Sequence, residues 1–232
     1  ADVPFDGDSG IVIQIQSQKC PLCRKCMPDN FLQFIYTTAV EFIQLAFKKP
    51  RGSLERSNLC IVARKQIARI NSYLSFPTEN ESHYTVSNKQ KIGRQLRIDD
   101  VDLCLCEGKA TEVILKANNL LATKLNPIIE IGLHIAIGRS YILLEDFENA
   151  KQALNTALGK VVNGSNSNEV RKISHWLCQC YYELGVYDRS IEFGESAISI
   201  NRHSECVYKY VALSYKASGN LDKGIEVMKM AV

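Results

Sequence analysis

The chain reads as all-α, a solenoid of helical hairpins, on three observations in its C-terminal half. Tyr141, Tyr181 and Tyr215 each stand three positions after a small residue, Gly138, Cys178 and Ala212. Nine positions after each tyrosine comes a second small residue, Ala150, Ser190 and Gly224, and seven further on an alanine, Ala157, Ala197 and Ala231. Tyr181 and Tyr215 are 34 residues apart, the period of a unit built as one helix-turn-helix.

Composition agrees with a folded chain and narrows its chemistry. Hydrophobic residues make up 46% and charged residues 23%, which argues against wholesale disorder. A net charge of +3 is too small to imply a polyanion, so neither nucleic acid nor a membrane surface is expected as a partner. The densest basic stretch, Lys89, Lys91, Arg94 and Arg97, is interrupted by Ile92, Leu96 and Ile98 and reads as the solvated face of an amphipathic segment. The nine cysteines are odd in number and scattered through helical segments, which suits a reducing, cytoplasmic compartment. Residues 1–6 carry neither a basic region nor an apolar core, so no signal peptide is visible, and the absent initiator Met suggests a processed chain or a fragment.

Taken in order, residues 1–28 hold the turn-rich run Asp6-Gly7-Asp8-Ser9-Gly10, a short strand with Ile11, Ile13 and Ile15 alternating, and a Cys-rich turn. Residues 29–75 read as a helical hairpin. Asp29 or Asn30 caps a helix over Phe31–Phe47 that Pro50 closes, and Ser53 caps a second helix to about Leu74. The first is apolar on most sides, but Gln33, Glu41 and Gln44 favour a buried helix over a membrane span. Residues 76–98 are expected to be a linker, on the strength of Pro77, Asn80, Ser87 and Asn88. From Asp99 the chain reads as helix to Leu125, broken near Gly108 and stopped by Pro127. Ala110, Ile114, Ala117 and Leu121 have the spacing of a second repeat helix, so residues 99–127 form a degenerate or capping repeat.

Three fuller copies follow, over residues 131–162, 171–202 and 205–232. The first is His134, Ile137, Gly138, Tyr141, Phe147, Ala150, Leu154, Ala157; the second Ser174, Leu177, Cys178, Tyr181, Gly185, Tyr187, Ser190, Gly194, Ala197; the third Tyr208, Val211, Ala212, Tyr215, Gly219, Leu221, Gly224, Met228, Ala231. Two helices cross closely only where small residues face each other, and the tyrosine fills the groove that remains. The pattern resembles the tetratricopeptide repeat over residues 130–232, with departures. His134, Ser174 and Tyr208 replace the opening Trp, the terminal Pro is missing, and the first spacing is longer, with the extra residues placed in the loop Val161–Asn168. The third copy stops at Val232, so a partner or further chain is expected to cover its apolar end.

The resemblance implies a concave groove lined by the first helix of each hairpin. Arg139, Lys172, His175, Trp176, Gln179, Tyr182, Lys209, Tyr210 and Leu213 are the expected partner-binding residues, with Ile135 and Lys216 beside them. Cations with aromatics suit an extended or helical segment of acidic and aromatic character. The same aromatics also serve if they only pack between repeats. The family's carboxylate clamp is not expected, because the matching places are Ile135, Arg139, Trp176, Cys206 and Tyr210, with one cation among them and no Asn.

Cys20-Pro21-Leu22-Cys23-Arg24-Lys25-Cys26 is the other pointed motif. Cys-x-x-Cys lets two thiolates reach one tetrahedral ion, and the Cys-Pro-Leu-Cys wording resembles the last ligand pair of a RING-type zinc module. Residues 1–19 lack the upstream pairs, so zinc held by Cys20, Cys23 and Cys26 with a distant fourth ligand such as Cys60 or His83 is weighed against free thiols. No other cofactor is expected. Cys178 and Cys180 face different ways on a helix, His203 and Cys206 lack an orienting group, and no phosphate-binding glycine loop occurs. The expectation is therefore a non-enzymatic scaffold, adaptor or complex subunit. A fragment of a RING-type ubiquitin ligase, with the repeats as substrate receptor, is the rival.

Overall fold

The computed structural model describes residues 29–75, 83–161, 167–200 and 205–231. Among them lie ten helices and no strand: α1 (Asp29–Lys48), α2 (Leu54–Leu74), α3 (His83–Cys106), α4 (Ala110–Leu121), α5 (Pro127–Leu143), α6 (Phe147–Lys160), α7 (Ser167–Glu183), α8 (Tyr187–Ile200), α9 (Glu205–Ala217) and α10 (Leu221–Lys229). The expected strand at Ile11–Ile15 and the Cys20–Cys26 turn lie outside the described residues. None of the described helices is long and apolar enough to cross a membrane.

The helices pair as five antiparallel hairpins in sequence order. Each first helix (α1, α3, α5, α7, α9) packs on its own partner and on the first helix of each neighbouring hairpin, and, from α3 onward, on the second helix of the hairpin before. The core is accordingly a succession of clusters, each straddling a junction. Ile43, Ala46, Cys60 and Ile70 meet Leu96 and Leu103 across α1, α2 and α3. Val113, Ala117 and Leu120 of α4 take Leu133 and Ile137 of α5. Leu154 and Ala157 of α6 take Ile173 and Leu177 of α7. Ala197 of α8 takes Val207 and Val211 of α9. That stepwise burial is how a solenoid is held together.

The small residues are where the helices approach. A Cβ on Gly138 would stand 2.6 Å from Leu154 Cγ, and one on Gly194 2.1 Å from Val211 Cγ2. At Gly224 it would stand 2.9 Å from the carbonyl oxygen of Ala212. Ser190, the small residue of α8, also carries a hydrogen bond. Its hydroxyl donates to the carbonyl of Cys178 at 2.8 Å and accepts from the Ser214 hydroxyl at 2.8 Å, tying α7, α8 and α9 with buried polar groups satisfied.

The turns within the hairpins also repeat. Gly108, Glu145, Gly185 and Gly219 all have positive φ, and in each case the next amide donates five residues back, Lys109 to Cys104, Asp146 to Tyr141, Val186 to Tyr181 and Asn220 to Tyr215. This is the left-handed helix stop that glycine favours, and Glu145, at φ 59, fills it against that preference. Asn126, Asp146 and Asn220 then cap α5, α6 and α10 by accepting backbone amides, and Ser53 accepts the amide of Arg56 at the start of α2.

Two readings of the sequence change. The linker expected over residues 76–98 does not extend that far, because α3 already begins at His83. Ile92 and Leu96 pack onto α1 and α2, while Lys91, Arg94 and Arg97 stay exposed, so the apolar side of this stretch makes it a helix. The second change concerns Ile135, expected beside Arg139 in the groove. It is 6% exposed and belongs to the cluster between α5 and α7.

Candidate functional site: the inner face of the first-helix array

Five first helices side by side present one inner face, and its two halves differ. In the N-terminal half the expected groove residues are packed against each other. The Arg139 guanidinium of α5 lies 5.4 Å from the centroid of the Phe47 ring on α1 and 5.2 Å from that of Trp176 on α7. The Arg56 guanidinium also lies over Phe47, 6.0 Å from its centroid, while its Nε–H donates to the carbonyl of Cys106 at 2.9 Å. On the far side the His175 ring stacks on Trp176 with centroids 4.5 Å apart and planes 9° from parallel. A cation over aromatic rings is a favourable contact when water is excluded.

The charges around that stack are shifted by burial. Asp102 of α3 is pushed up to about 6 by burial and then by Asp99, against the pull of Arg139 and Lys172. Burial holds Arg139 below its ordinary value, and its Nε is buried without a hydrogen-bond partner. His175 is pulled down to about 4 by burial, with Arg171 and Arg139 adding repulsion, so it is neutral at pH 7. Arg139, His175 and Trp176 are therefore part of the protein's own packing.

The C-terminal half is more open. Lys172 pairs with Glu169 at 3.0 Å one turn before it and stays half-exposed, and Gln179 is half-buried further along the same helix. Tyr182 of α7 lies 5.6 Å from Tyr210 of α9 and 6.0 Å from Tyr187 of α8, each pair tilted. Lys209 is exposed with its Nζ 5.6 Å from the centroid of Tyr210, and Leu213 is half-buried one turn on. The structure thus brings Tyr182, Lys209 and Tyr210 together, with Leu213 half-buried one turn along α9.

The residues missed from sequence are Phe47, Arg56 and Asp102. Their hairpins lack the tyrosine pattern, although Gly108 at the end of α3 offered a signal, since it stops its helix as Gly185 and Gly219 do. The metal candidates Cys20, Cys23 and Cys26 lie outside the described residues, and the proposed distant ligand Cys60 is in the core at 3% exposure. Among the described residues no cluster of His, Cys, Asp and Glu is arranged to hold a metal ion.

Residues 131–159, most of α5 with α6, match the tetratricopeptide repeat family model. Among solved structures, BtubC from P. vanneervenii superposes with a TM-score of 0.56 at 16% identity, over 86% of this chain and 87% of that one. MamA from AMB-1 gives 0.53 at 12% identity over 88% and 98%, and another MamA structure 0.52 at 16% over 72% and 90%. No curated protein matches in sequence. Identities this low carry the fold alone. Fold and matched hairpin together give the architecture of a tetratricopeptide-repeat α-solenoid.

Proposed function

We propose that this chain is a non-enzymatic adaptor or subunit of a larger assembly that holds an extended or helical segment of acidic and aromatic character against α7 and α9. The observation that carries the reading is the tilted pair Tyr182 and Tyr210 with Lys209 over the second ring. Two amphipathic rings side by side, rigid and partly open, give a partner side chain apolar area at little entropic cost, and the ammonium beside them selects a carboxylate. Lys172 and Gln179 extend the polar rim along α7.

The proposal places no binding role on Arg139 or Trp176. A displayed peptide library selected on the full chain tests it. Retained sequences are expected to be acidic and aromatic, and to be lost on Lys209→Glu with Tyr210→Ala but kept on Leu115→Ser, a substitution at a 63% exposed position on α4. Retention of the same peptides by the double variant would overturn it, as would selection without acidic enrichment.

A further inference from the structure

We propose that Ser190 and Ser214 are positioning residues of the tyrosine pair, holding Tyr182 and Tyr210 in the register that receives a partner side chain, an inference that rests on the binding role proposed for that pair. Three junctions offer the same two positions, the residue before a repeat tyrosine and the small-residue position of the hairpin before it. Between the second and third hairpins these are Ser140 and Val113, between the third and fourth Cys180 and Ala150, and between the fourth and fifth Ser214 and Ser190. All six are fully buried. The Ser140 hydroxyl turns back to its own helix, donating to the carbonyl of Ala136 at 2.9 Å, and Cys180 and Ala150 pack in one apolar cluster. At the last junction hydroxyls cross between helices. Ser214 of α9 donates to the Ser190 hydroxyl of α8 at 2.8 Å, and Ser190 donates to the carbonyl of Cys178 on α7 at 2.8 Å. The Cys178 Sγ stands 3.5 Å from the same Ser190 oxygen.

That tie lies one turn from the rings on both helices. Cys178 is four residues before Tyr182 on α7, and Ser214 four after Tyr210 on α9. The Ser214 hydroxyl also stands 2.8 Å from the Tyr210 carbonyl, so its one proton is shared between the tie and the backbone of the residue that carries the ring. Apolar packing sets how closely helices approach but has no preferred direction, whereas a hydrogen bond fixes rotation and sliding as well as distance. With α7, α8 and α9 joined through buried hydroxyls, a partner side chain meets rings already placed 5.6 Å apart, and the Lys209 ammonium over Tyr210 is carried with them. A site placed beforehand loses less entropy when it binds.

Ser190→Ala with Ser214→Cys copies the pair Ala150 and Cys180 that the chain already packs, so it should keep the helical circular dichroism signal of the wild type. Two readings on the full chain test the inference. Nuclear Overhauser cross-peaks between the Tyr182 and Tyr210 rings should be lost in this variant and kept in Ser140→Ala, which removes an equally buried hydroxyl whose bond is local. A short fluorescein-labelled peptide alternating Asp and Phe should bind the double variant about fivefold more weakly than the wild type, the size of one net hydrogen bond, and bind Ser140→Ala unchanged. Ser214→Ala alone, which keeps the Ser190 bond to Cys178, should shift both readings in the same direction. Cross-peaks retained by the double variant, an affinity that it leaves unchanged, or an equal loss in Ser140→Ala would overturn the proposal. A wild-type chain that ignores the peptide would overturn the binding role of the tyrosine pair, and the cross-peaks would still decide whether the serines set the rings.

Discussion

The guanidinium of Arg139 lies 5.2 Å from the ring centroid of Trp176 and 5.4 Å from that of Phe47. Three hairpins, the first, third and fourth, therefore meet in one stack on the inner face, and residues expected to greet a partner instead join distant parts of the array. Arg139→Glu places a buried carboxylate against two rings and near Asp102, and removes the cation that offsets Asp102. We predict a loss of about 3 kcal/mol or more, read by urea unfolding, and about 1–2 kcal/mol for Arg139→Met, which keeps the volume and loses the charge. Equal stabilities for the three proteins would show that the stack contributes nothing.

Gly194 sets the distance between α8 and α9. With a Cβ placed 2.1 Å from Val211 Cγ2 and 3.0 Å from Cys178 Sγ, Gly194→Ala is expected to destabilise by about 1–3 kcal/mol. Adding Val211→Ala makes room for that methyl, so the pair should be less unstable than the sum of the single changes, and an additive result would mean that the helices do not meet there.

Glu145 is a left-handed residue where the other hairpins use glycine. Its backbone strain is relieved by Glu145→Gly, partly offset by the greater freedom of glycine in the unfolded chain, for a net gain of about 1 kcal/mol in thermal or chemical unfolding. A lower stability would indicate that the Glu145 side chain matters more than its backbone.

Two buried groups give opposite pH dependences. His175 titrates near 4 when folded against about 6.5 unfolded, so its contribution is present above pH 6.5 and lost as pH falls toward 4. Asp102, raised to about 6 from about 3.8, contributes stability below pH 4 that is lost as pH rises through 6. Between pH 7 and pH 5 the histidine alone should cost about 2 kcal/mol. In His175→Gln that acid loss should disappear, leaving the Asp102 term and a protein whose stability rises on acidification over the same range. An unchanged pH profile would place His175 in solvent.

The tyrosine frame was legible because each tyrosine brings its own small partners at fixed spacing, and Gly138, Gly194 and Gly224 do stand at close approaches. The first hairpin was read as a helical pair apart from the repeats, and the second only as a degenerate or capping repeat beginning at Asp99. Val101, Cys104 and Val113 occupy the places that Gly138, Tyr141 and Ala150 take in the third hairpin, so bulk has moved between the helices and the repeat pattern is lost while the turn glycine stays. Arg97 and its basic neighbours obscured the apolar side of α3. The inner face was half legible. Tyr182 and Tyr210 do meet, but nothing in the sequence around Arg139 announces Phe47, which comes from a helix far earlier in the chain.

The continuity of one array from residue 29 onward is tested most directly by a double-mutant cycle on Phe47→Leu and Arg139→Met in urea unfolding. The contact across three hairpins predicts a coupling of about 1 kcal/mol. Additivity within about 0.3 kcal/mol would mean that the first hairpin does not reach the third, and would contradict the account.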